Sequence, residues 1–98
     1  MKKFLLLNQD EAPICELEYG KCNAGVLELG SVYFVVNVVL HADGHAHAVA
    51  LYRDVVEAAQ AVQALRDFAF SVTKPNQAFA MQQASEPISP LEIINAIF

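Results

Sequence analysis

Cysteine, basic side chains and long apolar runs are all scarce in this chain, and each scarcity removes a class of protein. Two cysteines, Cys15 and Cys22, are too few for a disulfide framework, and the six residues between them do not make the CxxC spacing of a redox or zinc pair. They read as free thiols in a reducing compartment. Six Lys and Arg face eleven Asp and Glu, for a net charge of -5. The basic residues are also scattered, so no clustered cationic surface follows a phosphate backbone, and nucleic acid is not an expected partner. The longest apolar run, Val32 to Leu40, is broken by Asn37 and rich in β-branched residues. It falls far short of the roughly 20 residues of a membrane span, so it reads as a buried strand and no membrane partner is expected. Lys2, Lys3 and the run Phe4 to Leu7 imitate a secretory signal, but the run stops at Asn8, before the roughly 7 to 15 apolar residues such a signal needs. A cytoplasmic location is the corresponding expectation. A glycine-rich phosphate loop, a GxSxG elbow and an HExxH pair are all missing, so the chain carries no catalytic signature and is expected not to be an enzyme.

What is plentiful is apolar surface. The apolar share is 55% and the charged share 17%, against typical values of about 45 to 50% and about 25%. With 98 residues the chain makes a single α+β domain over 1–98, in a size range where surface is hard to hide. Part of the excess is expected to face another subunit.

Local patterns predict an antiparallel meander of four to six strands packed against one long helix, with a short helix at the C-terminus. Lys2 to Leu7 reads as a first strand, ended by the turn-rich Asn8 to Pro13. Ile14 to Tyr19 alternates, with Cys15, Leu17 and Tyr19 on one face and Glu16 and Glu18 on the other. Gly20 to Gly25 reads as a loop and Val26 to Leu29 as a strand. Gly30-Ser31 suits a two-residue type II′ turn into the strand Val32 to His41. Asp43-Gly44 then marks a second hairpin, returning through His45 or Ala46 to Arg53. Asp54 is a helix N-cap with Glu57 in the capping-box position, and Val55, Ala58, Val62, Leu65 and Ala69 recur as one apolar stripe. Gln77 to Gln83 reads as a further strand carrying Phe79 and Met81 on one face. Ser89, Pro90 and Glu92 open the closing helix, ahead of Ile93, Ile94, Ile97 and Phe98.

Two features carry the functional expectations. In the strand Val32 to His41 both alternating sets are apolar, and one helix of roughly five turns covers only one side of a sheet. A twofold homodimer is therefore expected, with Asn37, Tyr33, Val35, Val39, Phe70 and Phe98 as candidate interface residues. The alternative is a monomer whose short helix and Phe79 region close the second side. The other feature is the cluster His41, His45 and His47 around the hairpin tip. With Asp43 and Gly44 as the two central turn residues, His41 lies on one face and His45 with His47 on the other. With a bulged turn and Gly44 left-handed, His41 pairs with His45 and all three imidazoles share a face. Only that second register assembles a site for zinc or a similar divalent metal with an open position for water. Exposed histidines at a hairpin tip also simply keep a loop in water, or titrate as a proton-sensitive patch. The reading that follows is a small, acidic, non-enzymatic, homodimeric protein-interaction module, an adaptor, chaperone-like protein or inhibitor whose acidic surface meets a basic protein partner. The alternative is a small-ligand or metal-binding domain using the histidine tip.

Overall fold

Alternation of apolar and polar residues, capped by turn formers, yields six strands and one long helix among the described residues of the computed structural model. The structure describes residues 2–30, 32–89, 91, 92 and 95. The strands are β1 (Phe4–Leu7), β2 (Pro13–Leu17), β3 (Cys22–Leu29), β4 (Tyr33–Leu40), β5 (Ala46–Tyr52) and β6 (Gln77–Ala80), with helix α1 (Val55–Ser71) between β5 and β6. The α+β class is as the sequence predicts, but the single meander is not. The strands form two three-stranded sheets, β2-β1-β6 and β3-β4-β5. The break falls at the turn after β2, where the Lys21 N–H donates to the Glu18 carbonyl at 3.0 Å and Gly20 takes φ +82. That turn carries the chain out of the first sheet, so β3 pairs with β4 instead of β2. After the helix, β6 returns beside β1 in parallel, from Phe4↔Gln77 to Leu7↔Ala80. A parallel partner needs a crossover, and the long path through the second sheet and α1 supplies it.

Two boundaries move for identifiable reasons. β3 starts at Cys22, inside the stretch read as loop, because the continuous ladder from Cys22↔Leu40 to Leu29↔Tyr33 holds Asn23, Ala24 and Gly25 extended against their weak intrinsic preference. In the same hairpin Leu29 pairs with Tyr33 rather than Val32, so the connection is one residue longer than a two-residue turn. The return at β6 occupies Gln77–Ala80, the first part of the predicted strand.

Asp54 caps α1 as expected: its backbone is extended and its carboxylate accepts from the Val56 N–H at 2.9 Å. Glu57 does not close a capping box. Its carboxylate instead accepts from the Ser85 N–H and hydroxyl, each at 3.0 Å, which fastens the segment after β6 to the helix start. The buried stripe is Ala58, Ala61, Val62, Leu65 and Ala69. Val55, expected in that stripe, is 49% exposed because it is the first helical residue, where the chain is still leaving β5. The alanines let the helix approach the inner face of β3-β4-β5, where Val36 and Val38 are wholly buried. Phe68 reaches the other sheet, its ring centroid 5.1 Å from Phe4 and 5.0 Å from Phe79. One helix therefore welds two sheets around a shared core that includes Leu6, Leu17, Val49 and Met81.

Tyr52 is buried in that core and donates its hydroxyl to the Gln82 carbonyl at 2.7 Å. Burial, with the nearby Glu57 carboxylate adding to it, pushes the phenol up to about 12. Of the predicted C-terminal helix, Leu91, Glu92 and Asn95 are helical, and the Glu92 N–H donates to the Ser89 hydroxyl at 3.2 Å as an N-cap requires. Pro90, Ile93, Ile94, Ile97 and Phe98 lie outside the described residues. Val62→Asp forfeits roughly 1.5 to 3 kcal/mol of apolar burial and buries a charge as well; circular dichroism of this variant is expected to show loss of the cooperative thermal transition.

Candidate functional site

The ladder contacts decide which side chains share the outer face of the β3-β4-β5 sheet, the side away from α1. Residues directly opposite in an antiparallel pair point the same way. Leu27, Val35 and Leu51 form one row across the three strands, Gly25, Asn37 and Ala48 the next, and Asn23, Val39 and Ala46 the third. None of these nine residues is charged. Val35, Asn37, Val39 and Leu51 are half-buried, while Leu27 is 57% exposed. The sequence expectation of two apolar faces on β4 thus resolves, among the described residues, into one face packed by the helix and one left open. Asn37 stands in the middle of that open face. Tyr33, the remaining outer-face residue of β4, is only 5% exposed, because the chain's own C-terminal segment covers it.

That cover is held by Arg53. Its guanidinium donates to the Glu92 carboxylate and, at 3.3 Å, to the Pro87 carbonyl, while Nε lies 3.7 Å from Glu86. The same guanidinium stands 5.8 Å from the Tyr33 ring centroid, and the Tyr33 hydroxyl donates to Glu92 at 3.4 Å. The hydrogen bond from Arg53 is the main cause that holds the Glu92 carboxyl below the usual carboxylate range and raises Arg53 in turn.

Both free edges of this sheet meet side chains that no periodicity pointed to. The Gln9 amide donates to the Leu51 carbonyl at 3.0 Å and accepts from the Leu51 N–H at 2.9 Å, as one residue of an added strand would. Gln83 donates to the Gln9 carbonyl in turn. The loop that presents Gln9 is fixed by Asn8, whose side chain accepts from the N–H groups of Asp10 and Ala12 at 2.9 and 3.0 Å. On the opposite edge, Arg66 donates to the Ala24 carbonyl at 3.2 Å. These contacts cover long sequence separations, so the only signal for them in the sequence is a polar residue in a turn or on a helix face.

The hairpin tip adopts neither of the two turns considered from the sequence. The Leu40 N–H donates to the His45 carbonyl at 2.9 Å and the Gly44 N–H to the Leu40 carbonyl at 2.8 Å, so Leu40 pairs with His45 across a four-residue loop with Gly44 at φ +72. Asp43 shapes the turn by accepting from the His45 N–H at 2.9 Å, and its carboxylate lies 3.4 Å from the His45 ring. His47 pairs with Val38. His45 and His47 therefore lie on the side of Val38 and Leu40. The His41 N–H continues the β4 ladder to the Lys21 carbonyl at 3.0 Å, which turns its ring to the opposite side. The register that gathers all three imidazoles is not the one formed, and among the described residues no group of three His, Cys, Asp or Glu stands together as a metal would need.

Cys15 and Cys22 are free and half-buried. Burial pushes both thiols up, and Cys22 raises Cys15 further, which leaves neither as the thiolate that nucleophilic chemistry requires. Cys22 donates weakly to the Glu18 carbonyl at 3.8 Å. Phe70 is 63% exposed and rests on Tyr19, itself 43% exposed, with ring centroids 5.2 Å apart. No described helix is long and apolar enough to cross a membrane. Comparison with family models, with curated proteins and with solved structures finds no match, so the chemistry of the site stands on this geometry alone.

Two outcomes follow from the edge and the clasp. Gln9→Ala removes two hydrogen bonds to a half-buried strand edge, a loss of about 1 to 3 kcal/mol at about 0.5 to 1.5 kcal/mol each, measurable as a lower midpoint in urea unfolding. For Glu92, a folded pKa depressed below the unfolded value means a contribution fully present above the ordinary carboxylate range and lost as pH falls through the folded value. Wild-type melting temperature is expected to fall on acidification more steeply than that of Glu92→Gln, with the two curves converging at the acid end.

Proposed function

We propose that this chain is a non-enzymatic, homodimeric protein-interaction module, and that the outer face of the β3-β4-β5 sheet is its self-association surface. The observation that carries the reading is the absence of charge from the nine outer-face residues of a chain with net charge -5. Two copies meeting there bring no like charges together at those nine positions, and the side-chain amide of Asn37 is both donor and acceptor, which suits pairing with its own copy. Gly25 and Ala48 flank Asn37 and keep the middle row low, so two sheets can approach closely. Val35, Val39, Leu27 and Leu51 supply the apolar contact. Tyr33 is engaged within its own chain and is left out of this surface.

Size sets the strength. Strands of about eight residues at a rise of about 3.3 Å, three abreast at about 4.8 Å, offer roughly 400 Å² per copy, about half the area per partner of a standard stable interface. Association in this class is weak and depends on concentration. The acidic loop Asn8 to Glu11 borders the same face beside a shallow groove of about 290 Å³ that Leu29, Val35 and Leu51 also line, and it gives a basic protein partner a charged rim to meet. The free, protonated thiols suit the cytoplasm.

The mass in solution tests the reading. The mass from light scattering or sedimentation equilibrium is expected to rise from monomer toward dimer with concentration, and Val35→Lys to weaken the association by about tenfold or more through one buried charge per copy. A wild-type monomer at every concentration reached would sink the proposal.

A further inference from the structure

The second place where the sheet is incomplete is the outer edge of β3, and here the chemistry points to a different occupant. In the β3-β4 ladder the His41 N–H donates to the Lys21 carbonyl, so the odd-numbered residues of β3 turn their backbone groups toward β4. The N–H and C=O groups of Cys22, Ala24, Val26 and Glu28 consequently point away from the sheet. Among them only the Ala24 carbonyl meets a side chain among the described residues, and it meets Arg66 at 3.2 Å. An eight-residue edge strand with open backbone groups is a template for another extended chain.

This edge also forms one wall of a groove. A cavity of about 350 Å³ lies between β3 and α1, lined by Leu17, Tyr19, Cys22, Ala24, Leu65 and Arg66 among others. Its walls are mainly apolar, and Arg66 is the one charged side chain lining it among the described residues. Arg66 meets no carboxylate among the described residues. At one end stands the exposed Tyr19–Phe70 pair, two aromatic rings stacked edge to face with no fold contact that requires their exposure.

We infer that the groove between β3 and α1 binds an extended peptide segment of a partner protein, which adds as a strand to β3, seats apolar side chains against Tyr19 and Ala24, and places a carboxylate on Arg66. The backbone of the segment takes over the bonds that a neighbouring strand would make, including the one to the Ala24 carbonyl. Arg66, released from that single exposed bond, exchanges a neutral acceptor for a charged one and forms a shorter, stronger, two-pronged contact. Apolar side chains at every second position fall into the groove, because successive side chains of a strand point to opposite faces. The aromatic pair is the anchor at the end, where exposed aromatic rings concentrate binding energy. The inference rests on the interaction-module reading but uses a surface distinct from the self-association face, and names the chemistry of the partner segment.

A display library of short random peptides selected on the full chain is the test. Enriched sequences are expected to alternate apolar residues with one Asp or Glu, to shift the amide resonances of Cys22 to Glu28 in NMR spectra, and to bind Arg66→Gln about tenfold more weakly or worse. A twin of the best peptide with methylated backbone amides is expected to lose binding, whereas Val35→Lys on the separate outer face leaves it unchanged. Absence of enrichment, equal binding by Arg66→Gln and the methylated twin, or β3 shifts that track protein concentration without peptide would overturn the inference; the last would assign the edge to a second copy. A wild-type monomer that still binds such peptides would refute the homodimer and leave this site standing.

Discussion

Everything in this molecule depends on one helix that touches both sheets. A three-stranded sheet has an apolar face it cannot keep from water alone, and each of the two here is short. The small side chains Ala58, Ala61 and Ala69 bring α1 close to the second sheet, while Val62 and Leu65 fill the space between. Phe68, outside that stripe, turns toward Phe4 and Phe79 and closes the first sheet against the same helix. Burial of these apolar surfaces is the favourable term that offsets ordering the chain. The polar ties through Tyr52, Glu57 and Gln9 then fix how the pieces sit. Those of Tyr52 and Gln9 satisfy partly buried groups, while the tie of Glu57 to Ser85 lies at the surface.

The same arrangement explains why two surfaces remain incomplete. A single helix covers one side of β3-β4-β5, so the other side keeps its uncharged rows open. The helix also ends its contact at the edge of β3, which leaves a groove instead of a paired strand. The fold treats its edges unequally. Gln9 gives β5 a two-bonded substitute for a neighbour, whereas Arg66 gives β3 one carbonyl contact. An edge whose groups are already bonded resists pairing more than one whose groups are bare, and β5 is the better covered of the two at Leu51. The Arg53 clasp acts on the same surface, since it holds Glu86, Pro87 and Glu92 and brings Glu92 onto Tyr33, which shortens the open face at that end.

Legibility from the sequence followed the range of the interaction. The Asp54 cap, the helix stripe through Val62 and Leu65 and the alternation in β4 are local, and each was readable from its own neighbours. The capping-box role of Glu57 failed because Ser85, distant in sequence, takes its carboxylate. The strand character of Asn23 to Gly25 was hidden because a long ladder with β4, not intrinsic preference, holds it. For the histidines, composition marked a candidate cluster, but the turn has four residues, and that register sends His41 to one side and His45 with His47 to the other. The residues of the open face were legible as apolar alternation in β4. Their neighbours Leu27, Gly25, Ala48 and Leu51 were not, because cross-strand register is a tertiary property.

By itself the sequence determined which residues want to be buried, where the helix begins, and that apolar side chains are in excess while cations are few. Those conclusions come from hydrophobicity, charge and short-range backbone geometry, which act between neighbours along the chain. Only the tertiary structure decided that six strands divide into two sheets, that β6 lies parallel to β1, and that among the described residues one face and one edge stay open. A strand specifies the direction of its side chains but not the identity of its partner, because every backbone offers the same donors and acceptors. Partner choice is settled by how turns redirect the chain and by which arrangement packs the shared core around α1.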